Sequence, residues 1–127
     1  MFRDRGERGS AVVDFVLVLV VLVPMVLGIL QLSLVLLVRN TLAAAASEGA
    51  RYAATSDRGP ADGAALTRRQ ISGAVSGRFA RDVSARVVSV GGAPAVEVTV
   101  RAEVPALGLA GPAVALEVSG GAVEEQP

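Results

Sequence analysis

Cysteine and histidine are absent from this sequence of 127 residues, and aromatic side chains make up only 3% of it. Without thiols or imidazoles there are no disulfides, no cysteine nucleophile, no histidine proton relay and no usual zinc site, so most enzyme classes fall away. Lysine is missing too: all 12 basic residues are arginine, balanced by 12 acids, and no basic cluster stands out. A nucleic-acid binder needs an electrostatic footprint that this balance does not supply. Nor do the acids gather, since Asp57, Asp62 and Asp82 are scattered among arginines, and no glycine-rich phosphate loop or calcium loop is present. The composition implies no cofactor, no metal and no small-molecule substrate.

What is abundant is small or branched and apolar. Hydrophobic residues reach 52%, chiefly Val, Leu and Ala, a bias that suits lipid better than a compact core. The length leaves room for one modest domain plus an anchor.

The anchor is the uncharged run from Phe15 to Val38, which as a helix reaches roughly 36 Å and spans a bilayer with some tilt. Pro24 and Gly28 are costly in a soluble helix but tolerated in a membrane one, with a mild kink expected near Pro24. Ala43 to Ala46 offer a signal-peptidase-like site, yet the run is too long for a signal core, which holds about 7 to 15 apolar residues. Arg3, Arg5 and Arg8 before the run balance Arg39, Arg51 and Arg58 after it. The denser charge on the short N-terminal side favours a cytoplasmic N-terminus.

Two short motifs flank this run. Before it, the charged head ends at Gly9, followed by Ser10 and, four residues on, Asp14. A cut after Gly9 would free an amine on Ser10 one helical turn from Asp14, about 6 Å along the axis and on the same face. Uncut, Ser10 would serve as a helix N-cap and Asp14 as an interfacial acid complementing the helix dipole. After the run, VRNTLAAAASEGARYAAT extends the helix to about Thr55. Leu42, Ala45, Ala46, Gly49 and Ala53 share a smooth face that lets another helix approach closely. Glu48 and Arg51, three apart, are expected to form an exposed ion pair, with Tyr52 at the headgroup level or packed on the domain.

RGSAVVDF and SEGARYAAT, in that order, resemble the TadE-like proteins of the tight-adherence (Flp) pilus machinery and the related TadG-like proteins, over roughly residues 8–55. The resemblance implies that Gly9 and Ser10 flank the cut of a prepilin peptidase. It makes Asp14 the amine-pairing acid, where these families usually carry Glu, and Glu48, Gly49, Arg51 and Tyr52 the stalk motif. It implies a non-enzymatic, single-pass component of a pilus or secretion assembly, a minor pilin-like subunit of the bacterial cytoplasmic membrane. Its partners would be lipid and the other assembly subunits, met through the N-terminal helix. The alternative is an unrelated bitopic structural or interaction protein that no prepilin peptidase processes.

Beyond the stalk, DRGPADG marks a linker over residues 56–63. Ala64 to Ala80 reads as an amphipathic helix, with Ile71, Ala74, Val75 and Phe79 on its apolar side. Strands are expected over Ala85 to Val90, Ala95 to Val104 and Ala113 to Ser119, the second with strict alternation of Val and polar residues. Gly91 to Pro94 form the first turn, and Pro105 and Pro112 bracket the second loop. The fold class is α+β in a pilin-like layout: leader 1–9, membrane helix and stalk 10–55 with its span at 15–38, linker 56–63, extracytoplasmic domain 64–119, and a loose tail over 120–127.

Overall fold

The structure, a computed structural model, describes residues 2–55, 57–106 and 113–124. Ser56 of the expected linker, the middle of the second loop and residues 125–127 of the expected tail lie outside them. A single helix, α1, runs from Phe2 to Ala53, roughly 78 Å at the usual rise. It continues through Pro24. The polar head expected as a separate leader is part of this helix, because its Arg and Glu residues are good helix formers continuing the same ladder.

α2 spans Pro60–Ala74 and is followed by a short 3-10 helix, Gly77–Ala80. The sequence reading had one helix over Ala64 to Ala80, so both ends move. Pro60 sits at the first helical position, where its fixed φ costs nothing, and the Asp62 carboxylate accepts a 2.9 Å hydrogen bond from the Gly59 N–H. At the other end the Ser76 hydroxyl accepts from the Arg78 N–H at 3.3 Å and starts the tighter turn that buries Phe79.

Three antiparallel strands follow, β1 (Asp82–Val90), β2 (Ala93–Val104) and β3 (Val114–Val123), in the order β1-β2-β3. Val90 pairs with Ala93, so the first turn is just Gly91 and Gly92, at φ 58° and 83°. Two successive positive φ values match the twist of a two-residue hairpin, which is why glycine occupies both positions. Along β2 the alternation holds: Val96, Val98, Val100 and Val104 are buried, and Val83 and Val118 flank Val100 from either side. The opposite face carries polar rungs, Arg86 to Glu97 at 3.1 Å, Thr99 to Ser119 at 3.3 Å and Arg101 to Glu117 at 3.4 Å.

β3 does not stop at Ser119. Gly120 to Val123 pair with Val98 to Ala95, so the residues expected as a loose tail continue the sheet. Glycine weakens a strand by propensity, but here it permits contact: a Cβ on Gly120 would collide with the Ser47 backbone and lie 2.6 Å from the Ala46 carbonyl carbon.

The domain's core therefore includes the helix that leads into it. Val38, Leu42, Ala45, Ala46, Ala50 and Ala53 of α1 form one buried cluster with Ile71, Phe79, Val83, Val96, Val98, Val100, Val104 and Val118. Each buried valine or leucine contributes about 1.5–3 kcal/mol, so Val38 and Leu42 of α1 add to what the sheet and α2 bury between them. The sheet lies along α1. Gly120 meets Ser47, and further toward the N-terminus the Gln31 amide donates a 3.2 Å hydrogen bond to the Pro105 carbonyl. From Ser47 to Gln31 the helix covers roughly 24 Å, and from Gly120 to Val114, beside the Pro105 level, the strand covers roughly 20 Å.

Candidate functional site

Gly9, Ser10 and Asp14 lie on the exposed N-terminal half of α1. Nothing approaches within 4 Å of where a Gly9 Cβ would be. Ser10 is not an N-cap, because the helix begins at Phe2. Asp14 is one turn from Ser10 on the same face, as the spacing requires, and both are exposed. Between this acid and the domain α1 presents a bare apolar surface: Phe15, Leu17, Val20 and Val21 are all at least half exposed. Of the described residues, α1 is the one helix long and apolar enough to cross a membrane, and its most apolar window is 0% buried.

The block from Glu48 to Ala54 divides by face. Gly49, Ala50, Ala53 and Ala54 point inward. A Cβ on Gly49 would collide with the Thr67 hydroxyl and stand 2.7 Å from the Gly63 carbonyl oxygen, and one on Gly63 would stand 2.6 Å from the Ala53 Cβ. The two helices cross backbone against backbone. Thr67, fully buried, seals the crossing: its hydroxyl donates to the Gly63 carbonyl at 2.8 Å and lies 3.3 Å from that of Ala45.

Leu42, Ala45, Ala46 and Ala53, read from sequence as a surface for a partner helix, are at most 5% exposed. Their partners are α2 and the sheet of the same chain. The expected Glu48 to Arg51 ion pair is not among the salt bridges of the described residues. Both side chains are exposed, where hydration and side-chain entropy offset the attraction. Glu48 instead borders an open groove of 520 Å³ with Asn40, Thr41, Ala44, Gln70 and Ala74. Tyr52 packs on the turn, with the Arg58 guanidinium 4.0 Å from its ring centroid. Among the described residues no group of three acids gathers where a metal ion could be held.

Gly63, Thr67 and Gly120 complete this docking strip and escaped the sequence reading. Gly63 and Thr67 precede Ile71 at intervals of four, so extending the α2 periodicity backward finds them. Gly120 gave no such signal, because a glycine pair near a C-terminus reads as a loop.

The chain carries a TadE-like segment. Residues 9–51 match the family model described as TadE-like protein, from the glycine of the candidate cut through the helix crossing at Gly49. No curated protein and no solved structure matches the chain. The TadE-like segment and its apolar helix fit a membrane component associated with tight-adherence pilus assembly.

Proposed function

We propose that this chain is a non-enzymatic, single-pass membrane subunit of a tight-adherence type pilus or secretion assembly, a minor pilin-like protein with a cytoplasmic N-terminus. One observation carries the reading: the TadE-like segment is a single helix whose first half is bare and apolar and whose second half is the core of the folded domain. A signal peptidase cut near Ala46 would remove Val38, Leu42 and Ala45 from that core, so the anchor is permanent. Gly9 and Ser10 are the prepilin peptidase site, and Asp14 is the acid that pairs with the new amine. The partners are lipid and the other subunits of the assembly, which meet the helix on its bare half, since the stalk face is occupied.

The test is to express the chain with and without a prepilin peptidase and weigh the product. Loss of residues 1–9 only with the peptidase supports the proposal. An intact N-terminus under both conditions leaves an uncut bitopic protein, and a new start near Ala46 overturns the permanent anchor.

A further inference from the structure

The sheet ends in two edges, β1 and β3, and the ladder tells which backbone groups line each. Val90 and Ala93 flank the two-glycine turn, and the pair flanking such a turn exchanges both of its hydrogen bonds. Bonded and non-bonded pairs then alternate along β1, so Val83, Ala85, Val87 and Ser89 turn their N–H and C=O groups away from β2. Arg68 marks the same sense, since its guanidinium donates at 2.8 Å to the outward carbonyl of Val83. On the far side of β2 the Pro94 carbonyl accepts from the Glu124 N–H at 2.9 Å. With Ala95 opposite Val123, that bond leaves Ala115, Glu117, Ser119, Gly121 and Val123 of β3 with their backbone groups directed outward. Among the described residues the Val83 carbonyl alone, of all these outward groups, has a hydrogen-bond partner.

A row of unpaired backbone groups is a template for a further strand. On β1 the row is open from Ala85 to Ser89, and Val87, on the core face of the sheet, is 53% exposed, so neither helix closes that side of the edge. The outward residues of β3 are exposed throughout.

The anchor limits what can fill these edges. The strands run along α1, so an antiparallel pairing between two copies would point their spans in opposite directions. Copies inserted the same way in one bilayer can pair only in parallel. In a parallel ladder each outward residue bonds to the two residues that flank its neighbour, so the outward groups of the two strands must be staggered by one residue. At equal height two β1 edges, or two β3 edges, bring their outward groups level and form no ladder. A β1 edge meeting a β3 edge has the required stagger: Val87 is level with Ala122, both on the core face, and so stands between the outward groups of Gly121 and Val123. The side chains agree. Val88 comes beside Val123, Arg86 beside Gly121 and Ala85 beside Gly120, so no charge meets a like charge and the Arg86 to Glu97 pair stays in place. Asp82 and Glu117 are the like charges of the two edges. They fall beyond the point where Arg68 closes β1, and Glu117 is already paired with Arg101.

We propose that the sheet edge takes a second copy of this chain, with Ala85 to Ser89 of β1 adding in parallel to Ser119 to Val123 of β3 in the next copy. The Val87 N–H donates to the Gly121 carbonyl of that copy, and the Val87 carbonyl accepts from its Val123 N–H. Each pairing leaves one β1 edge and one β3 edge free, so the contact is head to tail and extends as a row instead of closing as a pair. The ladder is short, and it acts together with the contacts of the anchored helices, because two weak contacts on one subunit reinforce each other. The pairing presupposes the anchored subunit proposed above.

The chain has no native cysteine, so single cysteines report contacts between copies. Two full-length copies with different tags, one carrying Val90→Cys and the other Val123→Cys, are expressed together in a bacterial cytoplasmic membrane and treated with a short bismaleimide. Both positions are exposed, at 55% and 57%, on the polar face of the sheet. The mixed product should exceed several-fold the product formed by either variant alone. Val87→Pro in the Val90→Cys copy should reduce it to background, because the Val87 N–H faces outward and its loss spares the bonds to β2. Thermal unfolding in detergent checks that this variant is folded. Where the proline unfolds the domain, Val87→Lys, a charge of the kind that blunts natural sheet edges, reads the same edge. Dominant products from single variants alone overturn the head-to-tail order, and a mixed product that survives the Val87 changes overturns the ladder. Absence of any product, with the protein still cut at Gly9 by the peptidase, overturns the pairing and leaves the subunit reading intact. Recovery of the chain in the soluble fraction overturns both.

Discussion

Gly49 of α1 and Gly63 of α2 meet backbone to backbone, close enough that a methyl group on Gly49 would stand 2.7 Å from the Gly63 carbonyl oxygen. Small residues are used in this way where two helices must approach closely. The glycine at the centre of the stalk motif is therefore an internal hinge pin of the folded domain, and the motif's position in sequence reflects where α2 returns along α1.

Gly49→Ala should cost about 1–3 kcal/mol or more, because overpacking a tight contact forces the backbones apart. Gly73→Ala is the matched control: it is helical, and nothing lies within 4 Å of its added Cβ. That substitution should be neutral or stabilising by about 0.4–1 kcal/mol through reduced freedom of the unfolded chain. Thermal unfolding of the two variants in the same detergent decides it. Equal effects would mean that the crossing is looser than described.

Thr67→Val tests the seal on that crossing. The change keeps the side-chain shape but removes the hydroxyl that donates to the Gly63 carbonyl, so the loss should be about 0.5–1.5 kcal/mol. Arg69→Ala, two residues on, on the opposite face of α2 and exposed, should change stability by no more than about 0.5 kcal/mol. A Thr67→Val protein as stable as the parent would assign that residue's burial to shape alone.

Much of this architecture could be read from residues. The strict alternation of Val96, Val98 and Val100 with Glu97, Thr99 and Arg101 announces a strand with one wet face, and the helix from Phe15 onward follows from its uncharged length. What periodicity cannot say is which elements share a core. Leu42, Ala45, Ala46 and Ala53 were legible as a face for close packing, yet whether the visitor was another subunit or the chain's own α2 depends on contacts far apart in sequence. Gly120 and Gly121 read as a loop because local propensity is all that a sequence window contains, while their strand exists through pairing with Val98 and Glu97 and contact with Ser47. The helix starts at Phe2 and not after Gly9 for a related reason: charge marks where lipid ends, and it does not end a helix.

Truncation after Ser119 separates those two readings of the C-terminus. A loose tail could be removed without effect. Here the cut deletes the partners of Val98 to Ala95 and the Gly120 contact with Ser47. Losing several net hydrogen bonds of about 0.5–1.5 kcal/mol each should lower stability by about 2 kcal/mol or more. Amide exchange along β2 would report it directly, with protection falling at Ala95 to Val98 first.

The polar rungs on the outer sheet face should matter far less. Arg86 and Arg101 have side chains 73% and 63% exposed in their ion pairs with Glu97 and Glu117, and exposed pairs contribute about 0–1 kcal/mol. Arg86→Ala and Arg101→Ala should each shift the unfolding free energy by less than about 1 kcal/mol, and added salt should narrow even that difference. A large loss in either would show that this face packs against something in the assembled state.

Asp14→Asn and Gly9→Ala distinguish cutting from pairing. Gly9 precedes the candidate bond, with open space around it, so adding a methyl there should leave the fold unchanged yet block loss of residues 1–9. Asp14 lies one turn beyond the new amine of Ser10, and its carboxylate has no ion-pair partner among the described salt bridges. Removing the charge while keeping the shape should therefore spare domain stability. Its effect should fall on assembly, where an unneutralised amine near the apolar layer is costly. The expected pattern is a correctly cut Asp14→Asn product that accumulates in the membrane but is no longer recovered with partner subunits after mild cross-linking. Normal recovery of that product would make Asp14 an ordinary interfacial acid and remove the amine-pairing role, whatever happens at Gly9.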